Sequence, residues 1–190
     1  MKFVIVLVFS LTILSCTQGV HTATPDGRDE AIIFCKLLTE QQSKLNSLNT
    51  SESLLKETLK PWVIKISSNG GMEPERQEAI ELWKKADFIS KGLNEILLTL
   101  KNADLKLATN QTTRANLVTA IQSHHEDVDH LTNYLKGCVD NLNKPTPSIP
   151  NALSQVKAKL NAMKEPTDVF APVITELRNK YSITDSEILK

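Results

Sequence analysis

Glycine is scarce in this chain, 6 of 190 residues, and aromatic side chains make up only 5 %. No stretch of four or more residues alternates apolar and polar convincingly, so the period-2 signature of strands is missing. Neither charge sign dominates, with 22 basic against 22 acidic residues. That balance removes the electrostatic case for nucleic acid or an anionic membrane as the main partner. Recognisable enzyme motifs are absent: there is no GxSxG, no P-loop, no HExxH and no GxGxxG following a strand. Beyond the first twenty residues there is also no apolar run of membrane-spanning length, which needs about 20 residues.

The opening segment is different. Lys2 precedes an apolar stretch from Phe3 to Leu14, too short to span a bilayer and of the length of a signal-peptide h-region. Thr17 and Gly19 supply small residues at −3 and −1 of a cut after Gly19. The rival reading is a lipobox ending at Cys16, which is weakened by bulky Leu14 two residues before the cysteine. The expectation is a signal peptide over 1–19 and a secreted, extracellular chain over 20–190, which is short enough for one helical domain.

Removing the leader leaves two cysteines, Cys35 and Cys138. In an oxidising compartment an even count favours a disulfide, and the sequence predicts one between them. Two sequons, at Asn49 ("NTS") and Asn110 ("NQT"), are candidate glycosylation sites.

Apolar residues three and four apart run through the whole remaining chain and predict an all-α antiparallel bundle of about five to six helices. A first helix is expected from near Asp26 or Arg28 to about Leu48. A second comes after the "NTSES" cap signal, where Thr50 or Ser51 would accept first-turn amides. It carries Leu55, Leu59, Trp62 and Ile66, with a kink expected near Pro61. Cys35 falls early in the first helix and Cys138 late in the fourth; if those two helices run antiparallel, these ends meet.

Two long heptad-patterned helices stand at the centre. One opens with Pro74 among acidic residues and continues through Ala79, Leu82, Ala86, Ile89, Leu93, Ile96 and Leu100. The other carries Leu117, Ile121, His124, Val128, Leu131, Leu135, Cys138 and Leu142. The same heptads could serve a coiled-coil dimer, but the amphipathic first helices need a surface to cover, so a monomer or weak dimer is expected. A proline-rich connection (143–150) precedes two shorter helices, with Leu153, Val156, Leu160 and Met163 on one and Phe170, Val173, Ile174, Leu177 and Tyr181 on the other.

"HHEDVDH" (124–130) is the only local cluster of metal-ligand types. Its pairs His125–Asp129 and Glu126–His130 point in different directions around a helix, so a solvated polar face is the simpler reading and no metal or cofactor is expected. Glu81 and Lys85 are spaced for a surface ion pair. Trp83, at the edge of its helix's apolar seam, is the candidate partner contact.

In signal peptide, length, helix content and cysteine pair, the chain resembles small secreted helical proteins of invertebrate saliva, venom or body fluid, and helical cytokines. The resemblance carries no diagnostic motif and transfers no functional residue. The expectation is a non-enzymatic protein that binds an extracellular or cell-surface protein, without membrane insertion. The alternative is a carrier of a lipid or other small apolar ligand, with Phe34, Phe88, Phe170 and Met163 lining a cavity between helices.

Overall fold

The computed structural model describes residues 25–69, 73–143, 150–164 and 167–189. The signal-peptide segment with Cys16 and Gly19, residue His21 and most of the proline-rich connection lie outside the described residues. There are six helices in order: α1 (Pro25–Asn69), α2 (Glu73–Lys101), α3 (Ala108–Leu142), α4 (Pro150–Ala162), α5 (Phe170–Tyr181) and α6 (Asp185–Ile188). Among the described residues there is no strand.

Both long seams are buried as their spacing requires. Every α2 seam residue from Ala79 to Leu100 is buried, and so is every α3 seam residue from Leu117 to Leu142 except His124, which is half-buried. A fully buried leucine of this kind contributes about 1.5–3 kcal/mol relative to an exposed one.

Side-chain contacts fix the direction of each helix. Lys65 of α1 lies 2.8 Å from Glu78 of α2, and Leu48 packs on Gly92, so α1 and α2 are antiparallel. Arg114 donates to the Ala103 carbonyl (2.6 Å) and Ser90 to Asp129 (3.3 Å), so α3 turns back along α2. Lys159 pairs with Asp127 while Ala152 faces Gly137, which sends α4 down α3. Gln42 donates to Asp168 (2.6 Å) and Arg28 to the Tyr181 carbonyl (3.2 Å), which sends α5 down α1. The fourth column is thus shared: α4 covers α3 and α5 covers α1. Ser182, in left-handed backbone at φ 52°, ends α5. α6 then closes on the start of α1 through Arg28 and Glu187 at 2.7 Å.

The structure corrects two expectations, and one cause underlies both. The first two expected helices are a single 45-residue helix, α1, with Pro61 inside it. The "NTSES" hydroxyls do not cap a new helix. Thr50, Ser51 and Ser53 each donate to the carbonyl four residues back, at 2.9, 3.0 and 3.1 Å, and so are absorbed into a continuous helix. Leu48, Glu52 and Leu55 are buried around them, and tertiary packing prevails over the local signal.

Fusing two columns into one reverses the parity of every later helix. α3 now runs parallel to α1, not antiparallel. Glu30, near the start of α1, contacts Asn110, near the start of α3. Cys35 lies about 5 residues past the first of these and Cys138 about 28 past the second. At ~1.5 Å per residue, that places them on the order of 35 Å apart along the axis. A disulfide needs Cα atoms within about 7 Å. Cys35 and Cys138 are instead two separate buried thiols. Burial pushes the Cys35 thiol up to about 11, against a small opposing effect of Arg178, and pushes Cys138 up to about 12. Neither is a nucleophile at neutral pH.

Candidate functional site

The histidine-rich segment is dispersed by the helix that carries it. His124 turns inward to α1, with Nε2 2.8 Å from Glu52 Oε2. His125 turns to α2, with Nε2 3.3 Å from the Ser90 hydroxyl, which also donates to Asp129 at 3.3 Å. Glu126 accepts from Gln122, and His130 lies exposed with its ring 6.4 Å from that of Tyr134. Among the described residues no group of three His, Cys, Asp or Glu side chains could hold a metal ion.

Ser90, His125 and Asp129 are the residue types of a hydrolase triad, but not its wiring. The aspartate contacts the serine itself, on the side of the imidazole that faces the hydroxyl. A triad needs the carboxylate on the opposite ring nitrogen, where it orients the base. The arrangement anchors α3 to α2.

Glu52 is the least expected residue of α1: a carboxylate only 1 % exposed. Lys56 Nζ lies 2.9 Å from its Oε1, one helical turn on, while His124 holds Oε2. Burial pushes this carboxyl up, and the contacts with His124 and then Lys56 outweigh it, holding Glu52 below its ordinary value. Lys56 also donates to the Lys164 carbonyl at 2.7 Å. One ionic cluster therefore joins α1, α3 and the end of the α4 column. Beside it opens a pocket of about 190 Å³ with Leu45, Ile121, Met163 and Val169 below and Ser123 and Asp127 at its rim.

The surface feature that stands out lies elsewhere, between α1 and α2. Leu54 is 59 % exposed and Phe88 62 %. They line one open groove of about 330 Å³ with Ser51, Lys84 and Lys85. Lys85 also lines a second groove of about 350 Å³, which continues along the same pair of helices over Thr58, Pro61, Trp62 and Leu82. Trp62 is buried in its floor and donates its indole N–H to the Glu75 carbonyl at 3.3 Å. Lys65, at this groove, reaches both Glu78 and Glu75. The expected Glu81–Lys85 ion pair is not among the pairs of the described residues.

Trp83, the candidate partner contact, is half-buried and packed against the core. It shares a side of α2 with Ser90, seven residues on, and that side faces α3. Phe88 is the exposed aromatic, contrary to its expected place among cavity-lining residues. A signal for this exists in the sequence. Residue 88 lies about 100° around the helix from the seam residue Ile89, toward the α1 side and outside the 82-86-89-93 stripe.

The sequons fare differently. Asn110 is 1 % exposed, and its amide nitrogen donates to Glu30 at 2.9 Å, so a glycan on that atom would have to displace the contact. Asn49 is half-buried, its amide nitrogen 3.5 Å from the Thr167 carbonyl.

No helix of the described residues is long and apolar enough to cross a membrane. Compared with family models, with curated proteins and with solved structures, the chain finds no match in any of the three.

Proposed function

We propose that this protein is secreted and works by binding the surface of another protein outside the cell, through the face shared by α1 and α2. The observation that carries the reading is the pair Leu54 and Phe88. Two large apolar side chains, each more than half exposed, line a single groove on facing helices. A protein partner can bury such anchors, and apolar anchors in a groove are where binding energy concentrates. Single exposed leucines are ordinary; two facing apolar residues with a polar rim form a patch.

The carrier reading has less support. Phe34 and Phe170 are packed in the core, Phe88 lies outside it, and only Met163 lines a cavity, the pocket of about 190 Å³ beside Glu52. The α1/α2 grooves are open to solvent, whereas a small-ligand site buries most of its ligand.

Native mass spectrometry of the protein taken from the medium of its producing cells tests the reading. A stoichiometric complex with a second protein is expected, weakened by Phe88→Ser in a variant whose helix content is unchanged. Recovery of the chain with bound lipid and no protein partner would favour the carrier and overturn the proposal.

A further inference from the structure

We propose that the partner presents an acidic amphipathic helix to the α1/α2 groove, with apolar side chains between Leu54 and Phe88 and carboxylates on Lys84 and Lys85. The inference rests on the protein-binding reading and adds the chemistry of the occupant.

Charge decides the sign. The only charged residues lining the Leu54/Phe88 groove are Lys84 and Lys85. Two neighbouring lysines of these helices already have carboxylates at hand: Lys91 lies 2.6 Å from Asp87 and Lys65 2.8 Å from Glu78. Lys84 and Lys85 have none within ion-pair distance among the described residues. Glu81, one turn away, lies toward the neighbouring groove without reaching Lys85. A carboxylate brought to a desolvated groove edge by a partner would find two cations that have not already been neutralised. Opposite charge at a rim sets specificity and speeds encounter.

Shape decides the secondary structure. The groove lies between antiparallel helices, and no strand edge exists among the described residues for an extended peptide to extend. Among the recurring modes, a cleft running between two helices fits a helix laid in a groove, read by anchors at i, i+3 or i+4, and i+7. The two linked grooves suit it. Leu54 and Pro61 are seven residues apart, about 10 Å along α1, which matches two turns of an incoming helix. One anchor would sit between Leu54 and Phe88 and a second over Pro61 and Trp62; Glu78 and Glu81 line this second groove, so the occupant's carboxylates belong beside the first anchor only. A lone fatty acid or nucleotide would stay largely uncovered there, and two lysines on a chain of zero net charge make a weak phosphate track.

Selection from a displayed library of randomised helical peptides against the full secreted chain tests this. Enriched peptides should combine acidic residues with leucine or aromatic anchors at three- or four-residue spacing. Their affinity should fall at least tenfold for Phe88→Ser and for the double variant Lys84→Glu/Lys85→Glu. Peptides with lysine in place of the acidic residues should regain binding to the charge-reversed variant. Helix content by circular dichroism identifies any variant that fails to fold, and Lys84→Ala/Lys85→Ala then replaces the reversal. Winners that are neutral or basic, or indifferent to the lysines yet lost on Phe88→Ser, overturn the acidic partner and leave the protein-binding reading standing. Winners indifferent to both Phe88→Ser and Leu54→Ser, or no winners at all, overturn the groove as a docking site.

Discussion

α2 meets α3 mainly through apolar side chains, while α1 adds a set of carboxylate contacts to a buried apolar stripe of its own. Along the α2–α3 seam, Leu82, Ile89, Leu93 and Ile96 face Ile121, Val128, Leu131 and Leu135, all buried. α1 has an apolar stripe as well, but its ties are polar and directional. Glu30 takes the Lys106 and Leu107 amides at 2.7 and 3.0 Å, and Glu52, paired within α1 to Lys56, takes His124 of α3. Gln42 reaches Asp168, which also accepts the Phe170 and Ala171 amides at the start of α5, and Arg28 reaches Glu187. Apolar burial is non-directional and holds two helices together without specifying register. Of α1's polar ties the Glu52 cluster is buried, and a buried ionic contact adds little net stability but penalises every arrangement that leaves a charge alone. α1 is therefore positioned, at Glu52 above all, by a contact that is costly to mismatch.

The largest expected effect comes from breaking that positioning. Glu52→Ala leaves Lys56 and His124 without their carboxylate and should cost about 3–5 kcal/mol, measured by urea denaturation. Replacing Glu52, Lys56 and His124 together by leucine should recover most of that loss. If the triple variant is as unstable as the single one, the cluster contributes net stability and the contrast between the two interfaces disappears.

On the apolar side, Leu131→Ala deletes a fully buried side chain and should cost about 3 kcal/mol through lost burial and the cavity it leaves. No partner substitution should rescue it. A loss well under 1 kcal/mol would mean that the α2–α3 seam is loosely packed.

Acid should separate the two interfaces without any mutation. Desolvation pushes Glu30, Glu52 and Asp168 up, yet donors and opposite charges hold all three below their ordinary values. The Thr184 amide and Arg28 hold Glu187 lower still, at about 2. A carboxylate whose folded value is depressed contributes its stability fully above the unfolded value, 4.5 for glutamate and 3.8 for aspartate. It loses that contribution as pH falls through the folded value. Hydrogen exchange read by mass spectrometry between pH 6 and pH 2 should therefore show α1, α5 and α6 losing protection before α2 and α3. Simultaneous loss would sink the distinction.

The smallest effect is expected at the α1–α2 crossing. A Cβ on Gly92 would lie 2.7 Å from a Leu48 methyl, so Gly92→Ala must displace that side-chain tip. The gain in helix propensity, about 1 kcal/mol, opposes the clash, and the melting temperature should move by only a few degrees downward. A clear rise would show that the Leu48 tip moves aside at little cost and that this crossing is not closely packed.

Much of the helical layout was legible in the sequence, because the α2 and α3 stripes repeat without interruption and burial simply obeys them. The continuity of α1 was not. Thr50, Ser51 and Ser53 carry the same hydroxyls whether they cap a helix or bond back into one, and only tertiary neighbours decide between these uses. That ambiguity carried the cysteine pairing with it, since a change in the number of columns changes which ends meet. The exposed groove was half legible. The stripe spacing excludes Phe88 from the seam, but its juxtaposition with Leu54 depends on the α1–α2 crossing. The inward place of His124 follows from its seam, but its pairing with a buried glutamate required knowing that α1 and α3 run parallel.

The split fourth column has a consequence for biosynthesis. Gln42 meets Asp168 across 126 residues of chain, and Arg28 meets Tyr181 across 153. At ~5–20 residues per second, the ribosome delivers α5 roughly 6–30 s after the stretch of α1 it must cover. During that interval α2 and α3 can already close on each other, being neighbours in the chain, while the face of α1 between Arg28 and Gln42 lacks its α5 cover. Holding factors should engage the nascent chain at that face, and release should wait for the last twenty residues.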